Sequence, residues 1–228
     1  MALSAGRAAL VVAAAVTAAV APARAETDRQ LQLWDALSIT GDLAPDQRGL
    51  AVWFDGHLRR GDTGAVTIIR PGLGYRLSKA WSVWAGYGWI PTFSEGGDRR
   101  DEHRGWQQAI GSTKLGPVSV SSRTRFEQRL GEGGDDVGLR LRQWVRASWT
   151  PTGSPVGLVV WDELFVALGD TDWGQAAGFD QNRAFAGVAL PVGDSGRLEV
   201  GYLFANVDRA VDVHIHALAT SLSFALAR

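Results

Sequence analysis

From Arg123 to Arg129 every second residue is charged: Arg123, Arg125, Glu127 and Arg129, with Thr124, Phe126 and Gln128 between them. The next periodic stretch repeats the arrangement. Arg140, Arg142 and Arg146 lie two or four apart, and Leu139, Leu141 and Val145 take alternate positions. A period of two is that of a β-strand, which sends successive side chains to opposite faces. Two consecutive strands are therefore predicted, each with an arginine-lined face and a largely apolar one. A membrane β-barrel requires this arrangement, with apolar side chains against lipid and polar ones in the lumen.

The same reading along the chain predicts eleven strand segments, at 31–43, 49–59, 66–77, 81–93, 102–113, 118–130, 138–150, 156–169, 179–191, 197–205 and 214–227. In the second, Leu50, Val52, Phe54 and Leu58 alternate with Trp53, Asp55, His57 and Arg59. In the fourth, Trp81, Val83, Ala85, Tyr87 and Trp89 form one apolar and aromatic row, suited to lipid with aromatics at the interfaces. Connections after segments three, five and nine are short. Those after four, six and eight are longer and polar, as in outer-membrane barrels whose long loops face outward. Bacterial single-chain barrels have even strand numbers. Segments two to eleven then make a ten-stranded barrel, and the first is left over to cross the lumen, lie at the base or belong to a twelve-strand system. The expected class is all-β, a single transmembrane antiparallel up-and-down barrel of about 10–12 strands. No helical periodicity appears beyond residues 1–25, and no fixed-period repeat or second domain is visible.

The N-terminus changes the picture by setting the compartment. Arg7, an apolar run from Ala8 to Val20 and the small residues around Ala23 and Ala25 read as a secretory signal peptide cut after Ala25. The expected division is a signal peptide at 1–25, an N-terminal segment at 26–46 and the barrel at 47–228. The chain has no Cys, which excludes a disulfide-stapled domain and a Cys-anchored lipoprotein. Of 23 basic residues, two lie in the signal peptide; the remaining 21 stand against 24 acidic ones, a balance that does not suggest nucleic acid. Only Lys79 and Lys114 are lysines. Arginine stays charged when poorly hydrated and pairs bidentately with carboxylates, which suits a crowded polar interior.

Pairing the segments gives the charges partners. A turn that pairs Lys114 with Pro117 sets Glu102 opposite Arg129, Arg104 opposite Glu127 and Gln108 opposite Arg123. Matching the charged faces of the next pair places Glu127 opposite Arg140 or Arg142, and a turn near Gly153 brings Glu163 to Arg142. A slip of two residues changes partners but keeps acids beside arginines. The lumen network expected is Glu102, Arg104, Arg123, Arg125, Glu127, Arg129, Arg140, Arg142, Glu163 and Arg183, with Glu199 as an extension. Its first role is to fill a narrow lumen and hold register, since buried charges must be paired. Its second is to bind or conduct a small anion, since arginines outnumber acids locally. Asp162 and Glu163 are adjacent, so one must point outward unless a bulge intervenes.

Catalytic chemistry finds little support. His216 and Ser221 differ by five and fall on opposite faces of a regular strand, and no Gly-x-Ser-x-Gly elbow exists. His214 and His216 form at most half a metal site. No catalytic residue, metal or cofactor is assigned.

Several short stretches taken in order resemble the bacterial family called domain of unknown function 2490, regarded as outer-membrane β-barrels. They are Leu33-Trp34, Gly72-Leu73-Gly74-Tyr75-Arg76-Leu77, Trp84-Ala85-Gly86-Tyr87, Gln107-Gln108, the Arg123-to-Arg129 row, Asp162-Glu163-x-Phe165, Gln181-x-Arg183, Gly201-Tyr202 and His216. The resemblance implies a barrel in the outer membrane and adds no chemistry. One departure is the end, Phe224-Ala225-Leu226-Ala227-Arg228, where insertion signals commonly close on an aromatic residue. The function expected is a small outer-membrane barrel with a structural or narrow-pore role, in contact with outer-membrane lipid and a candidate small anionic solute. The alternatives are an envelope lipid-modifying enzyme, a carrier of lipid or small anions, and a soluble periplasmic ligand-binding barrel.

Overall fold

The computed structural model describes residues 27–43 and 49–226; the signal peptide expected at 1–25 lies outside the described residues. Eleven strands follow one another: β1 (Thr27–Asp42), β2 (Gly49–Gly61), β3 (Gly64–Arg76), β4 (Trp81–Ser94), β5 (Arg99–Leu115), β6 (Val118–Gly131), β7 (Val137–Trp149), β8 (Gly157–Ala167), β9 (Gly178–Val192), β10 (Gly196–Val207) and β11 (Asp212–Leu226). They form one closed barrel in chain order. Among the described residues no helix is long and apolar enough to cross a membrane.

The first segment is not left over. β1 is a full wall strand, antiparallel to β2 and parallel to β11 from Thr27↔Asp212 to Gly41↔Leu226. An odd number of strands in an up-and-down order leaves first and last pointing the same way, so closure requires one parallel pair. β1 can take this place because it has two usable faces. Leu31, Leu33 and Leu37 are exposed on the outer side, while Trp34 is buried inside. With β1 paired on both sides the sheet has no free edge. Thr27 and Leu226 consequently lie at opposite ends of the barrel.

The connections are less lopsided than expected. β5 and β6 continue into residues predicted as loop, so the link between β4 and β5 is only 95–98. Among the described residues the longest connection is 168–177, between β8 and β9, while 150–156 at the other end is longer than a tight turn. The register of β5 with β6 also differs, by two residues. The turn is Gly116-Pro117, flanked by Leu115↔Val118. Gly116 has φ +60°, the positive value that the first central position of a type II′ turn requires. Lys114 therefore pairs with Ser119, and Glu102 with Gly131.

Inside the barrel, Trp106 is wholly buried and its Nε1 donates to the Tyr87 carbonyl at 3.1 Å. It lies on bare backbone at Gly72 and Gly86. A Cβ at Gly86 would stand 2.3 Å from the Pro71 carbonyl oxygen and 2.5 Å from the Trp106 ring. Gly86→Ala is therefore expected to cost about 1–3 kcal/mol by overpacking. Gly169→Ala, whose Cβ meets nothing within 4 Å, should be close to neutral. Urea unfolding of the refolded barrels compares the two; equal midpoints would refute the packing account.

Candidate functional site

The inward faces of β2, β3 and β5 to β10 bring the charges together. Glu102 accepts from Arg104 at 2.7 and 2.9 Å and from Arg129 at 2.6 and 3.0 Å. Glu127 has no exposed surface. It accepts from Arg140 at 2.6 and 3.0 Å and from Arg142 at 2.6 Å, with Arg125 and Arg104 at 3.9 and 4.0 Å. Glu163 accepts from Arg123 at 2.7 Å and from Arg142 at 2.8 and 3.1 Å. Arg125, also without exposed surface, donates to Gln108 at 2.8 Å, and Arg183 to Gln181 at 2.7 and 3.0 Å. Glu199 takes Arg146 at 2.5 Å and Arg197 at 3.0 Å.

All ten residues read from the sequence lie on this inner surface, but only some of them in the expected pairs. Arg104 stands opposite Arg129, and Arg125 opposite Arg142. Directly opposed like charges repel. Here each such pair is bridged by a carboxylate set diagonally, Glu102 for the first and Glu127 for the second. Glu127 opposite Arg140 and Glu163 near Arg142 agree with the expected placement. Arg183 faces Glu163 across β8 and β9 but hydrogen-bonds to Gln181 instead.

Sequence reasoning missed three parts of the site. Asp55 holds Arg70 bidentately at 2.6 and 2.8 Å, and His57 Nε2 lies 2.9 Å from the same guanidinium. The two-residue turn between Gly61 and Gly64, which sets Asp55 opposite Arg70, was the available signal. Asp180 receives Arg140 at 2.7 Å, because a bulge opposite Phe165 and Val166 turns it inward beside Gln181. The third part is aromatic. Phe165 lies 4.4 Å from both Arg142 and Arg183, Trp106 4.7 Å from Arg125 and Trp34 4.0 Å from Arg59. Guanidinium planes stacked on rings keep their charge while losing water.

The 168–177 connection folds against the neighbouring 132–136 connection at one end. Asp172 accepts from the backbone N–H of Asp135 and Asp136, which hold its carboxyl below the ordinary Asp range. Trp173 donates to the Asp136 carbonyl at 2.8 Å and covers Gly131, and Gln175 reaches inward to Arg129 at 3.0 Å. Toward the other end lies a cavity of about 240 Å³. Its roof is the network at Arg70, Arg142 and Glu163; its sides include Trp34, Trp53, Trp144 and Trp161.

The comparisons add a family. Residues 31–215 match the family described as "Protein of unknown function (DUF2490)". The chain belongs to it. An uncharacterized protein of Methylorubrum extorquens is 43% identical over 141 residues, covering 60% of this chain and 61% of that relative, so less than two thirds of the relative's length is spanned. A solved structure titled "KdgM porin" superposes with a TM-score of 0.45 at 12% identity, covering 75% of this chain and 82% of that one.

The outer wall of this family member is mostly apolar, with Leu73, Trp81, Val83, Tyr87, Leu141, Val160 and Leu218 exposed. Its polar side chains satisfy one another. Gln107 and Gln128 exchange hydrogen bonds at 3.2 and 3.0 Å, and Thr124 donates to Gln143 at 2.7 Å. Asp162 points outward on a regular stretch of β8 and accepts from Asn182 at 3.0 and 3.1 Å. His216 Nδ1 is 2.6 Å from the Tyr202 hydroxyl on the outside, whereas Ser221 lines the inner cavity, so the two cannot act as a couple. Among the described residues no group of three or more His, Cys, Asp or Glu gathers to hold a metal ion.

Proposed function

We propose that this chain is a bacterial outer-membrane barrel whose lumen is closed by its charge network, a structural wall or gated narrow path rather than an open pore. The observation that carries the reading is the inversion of polarity. Charged side chains pack inside a sheet with no free edge, and large apolar ones stay exposed outside. Strands of 11–17 residues meet or exceed the roughly 9–11 needed to span a bilayer, and closure satisfies the backbone, as lipid demands. A soluble ligand-binding barrel would turn its leucines inward.

Closure follows from the middle of the lumen, where Arg125, Glu127 and Trp106 have no exposed surface. Purified protein in planar bilayers is expected to give no steady conductance at low voltage. Glu127→Ala, if it inserts, should give flickering current as its arginines lose their shared partner. A stable open channel in the unaltered protein would refute closure. Release with the soluble periplasmic fraction would refute the membrane location.

A further inference from the structure

The lumen carries more cation than it neutralises. Among the described residues, six buried arginines (70, 104, 125, 140, 142 and 183) face four buried carboxylates, Asp55, Glu127, Glu163 and Asp180. The half-buried inner arginines, Arg59, Arg76, Arg123, Arg129, Arg146 and Arg197, exceed the half-buried inner acids Asp42, Glu102 and Glu199. Part of the excess lies at the cavity under the network, which is lined by Arg59, Arg70, Arg123, Arg142 and Arg183 with Asp35, Asp55, Glu163 and Glu199. Arg123 shares Glu163 with Arg142, but Arg59 and Arg183 hydrogen-bond to no carboxylate, and both stack on one indole, Trp34, at 4.0 and 5.0 Å.

The hydrogen-bond balance points the same way. Buried polar atoms are normally partnered, and each exception calls for a cause. Among the described residues seven buried donors lack a protein acceptor: Gln108 Nε2, both Arg125 Nη and one Arg197 Nη lie elsewhere in the lumen, while Arg59 Nε, Arg123 Nε and Trp53 Nε1 belong to side chains that line this cavity. The one buried acceptor in the same condition, Asn206 Oδ1, does not line it. A cavity with surplus donors and surplus positive charge is complementary to an acceptor-rich anion. Its sides are aromatic: Trp161 and Phe185 stack at 5.3 Å with an interplanar angle of 13°. At about 240 Å³ it falls below the roughly 300–1,000 Å³ of clefts for drug-sized ligands.

We infer that this cavity is a binding site for a small organic anion, its carboxylate, phosphate or sulfonate head set near Arg59, Arg183 and the Trp53 indole N–H and its flat apolar body against Trp34, Trp144 and Trp161. The site is a property of the fold and does not rest on the membrane reading. Insertion assays and binding assays can therefore fail independently.

Calorimetry on the full folded barrel in mild detergent, which keeps either a membrane or a soluble barrel in solution, with protein-free detergent as the blank, tests it with 2-naphthoate, neutral 2-naphthamide and inorganic phosphate. The expected result is saturable 1:1 binding of 2-naphthoate, at least tenfold tighter than either of the others. Arg59→Gln should weaken 2-naphthoate at least tenfold and leave 2-naphthamide unchanged, while Arg99→Gln, at the far end, changes neither. Absence of saturable 2-naphthoate binding would overturn the site, as would equal affinity for the amide, which needs no variant to measure. Phosphate binding as tightly as 2-naphthoate would overturn the aromatic half. Unaltered affinity in a folded Arg59→Gln barrel would overturn the placement of the head.

Discussion

Glu127→Ala is expected to lower the stability of the refolded barrel by about 3–5 kcal/mol, the cost of breaking a buried ion pair from one side. Glu127 is the meeting point of four arginines, two hydrogen-bonded and two within 4.0 Å. Its removal leaves Arg140 with Asp180 and Arg142 with Glu163, but leaves the opposed guanidiniums of Arg125 and Arg142 without their shared anion. The loss is electrostatic rather than steric. Glu127→Gln, which keeps the volume and two acceptor lone pairs, should recover only part of it. Arg59→Ala loses a ring contact but strands no carboxylate, so its effect should be smaller. Arg99→Ala breaks an exposed pair with Asp101 beside the 95–98 link, at the end of the barrel, and should have the smallest effect of the four. Urea titrations of the four variants in one lipid decide the matter; coincident midpoints for Glu127→Ala and Arg59→Ala would remove the network as a stabilising element.

Leu141→Arg is expected to destabilise the barrel by about 2–4 kcal/mol in a bilayer, the cost of a cation on the lipid face near the midplane. Leu141 is exposed on the outer side of β7 and has no role in the network. Leu158→Arg, one residue inside the end of β8, should cost roughly 0–1 kcal/mol because an interface lies within reach of the side chain. The gradient with depth carries the argument. On a water-facing wall both changes would fall within about 0.5 kcal/mol of zero. Refolding into vesicles, followed by reversible unfolding, gives both values; a flat profile would refute a lipid-facing wall.

Much of the architecture was legible in one dimension. Alternation over 123–129 and 139–146 assigned two faces to each strand, and the fold keeps that assignment: Arg125 and Glu127 are buried, Leu139 and Leu141 exposed. The row of Trp81, Val83 and Tyr87 likewise lies outside, with Trp84 inside. Facing is a local property fixed by a period of two, so it survives errors in register. Pairing is not local. Whether Glu102 meets Arg129 directly or diagonally depends on a single turn, Gly116-Pro117, and an error of one turn position moves every partner by two residues. Asp180 enters the site through a bulge that no alternation announces, and Arg70 reaches Asp55 only once β2 and β3 are in register.

By itself the sequence determined that this chain is all-β, that its charges belong on one face and its large apolar residues on the other, and that arginines needed carboxylates nearby. Those conclusions rest on side-chain direction and charge, which each strand carries within itself. Only the tertiary structure decided that eleven strands close through a parallel β1–β11 pair, that each carboxylate bridges several guanidiniums, and that aromatic rings and unpartnered donors enclose a cavity below them. These depend on which strands become neighbours and how far they slide, and both are set by closing the whole sheet at once.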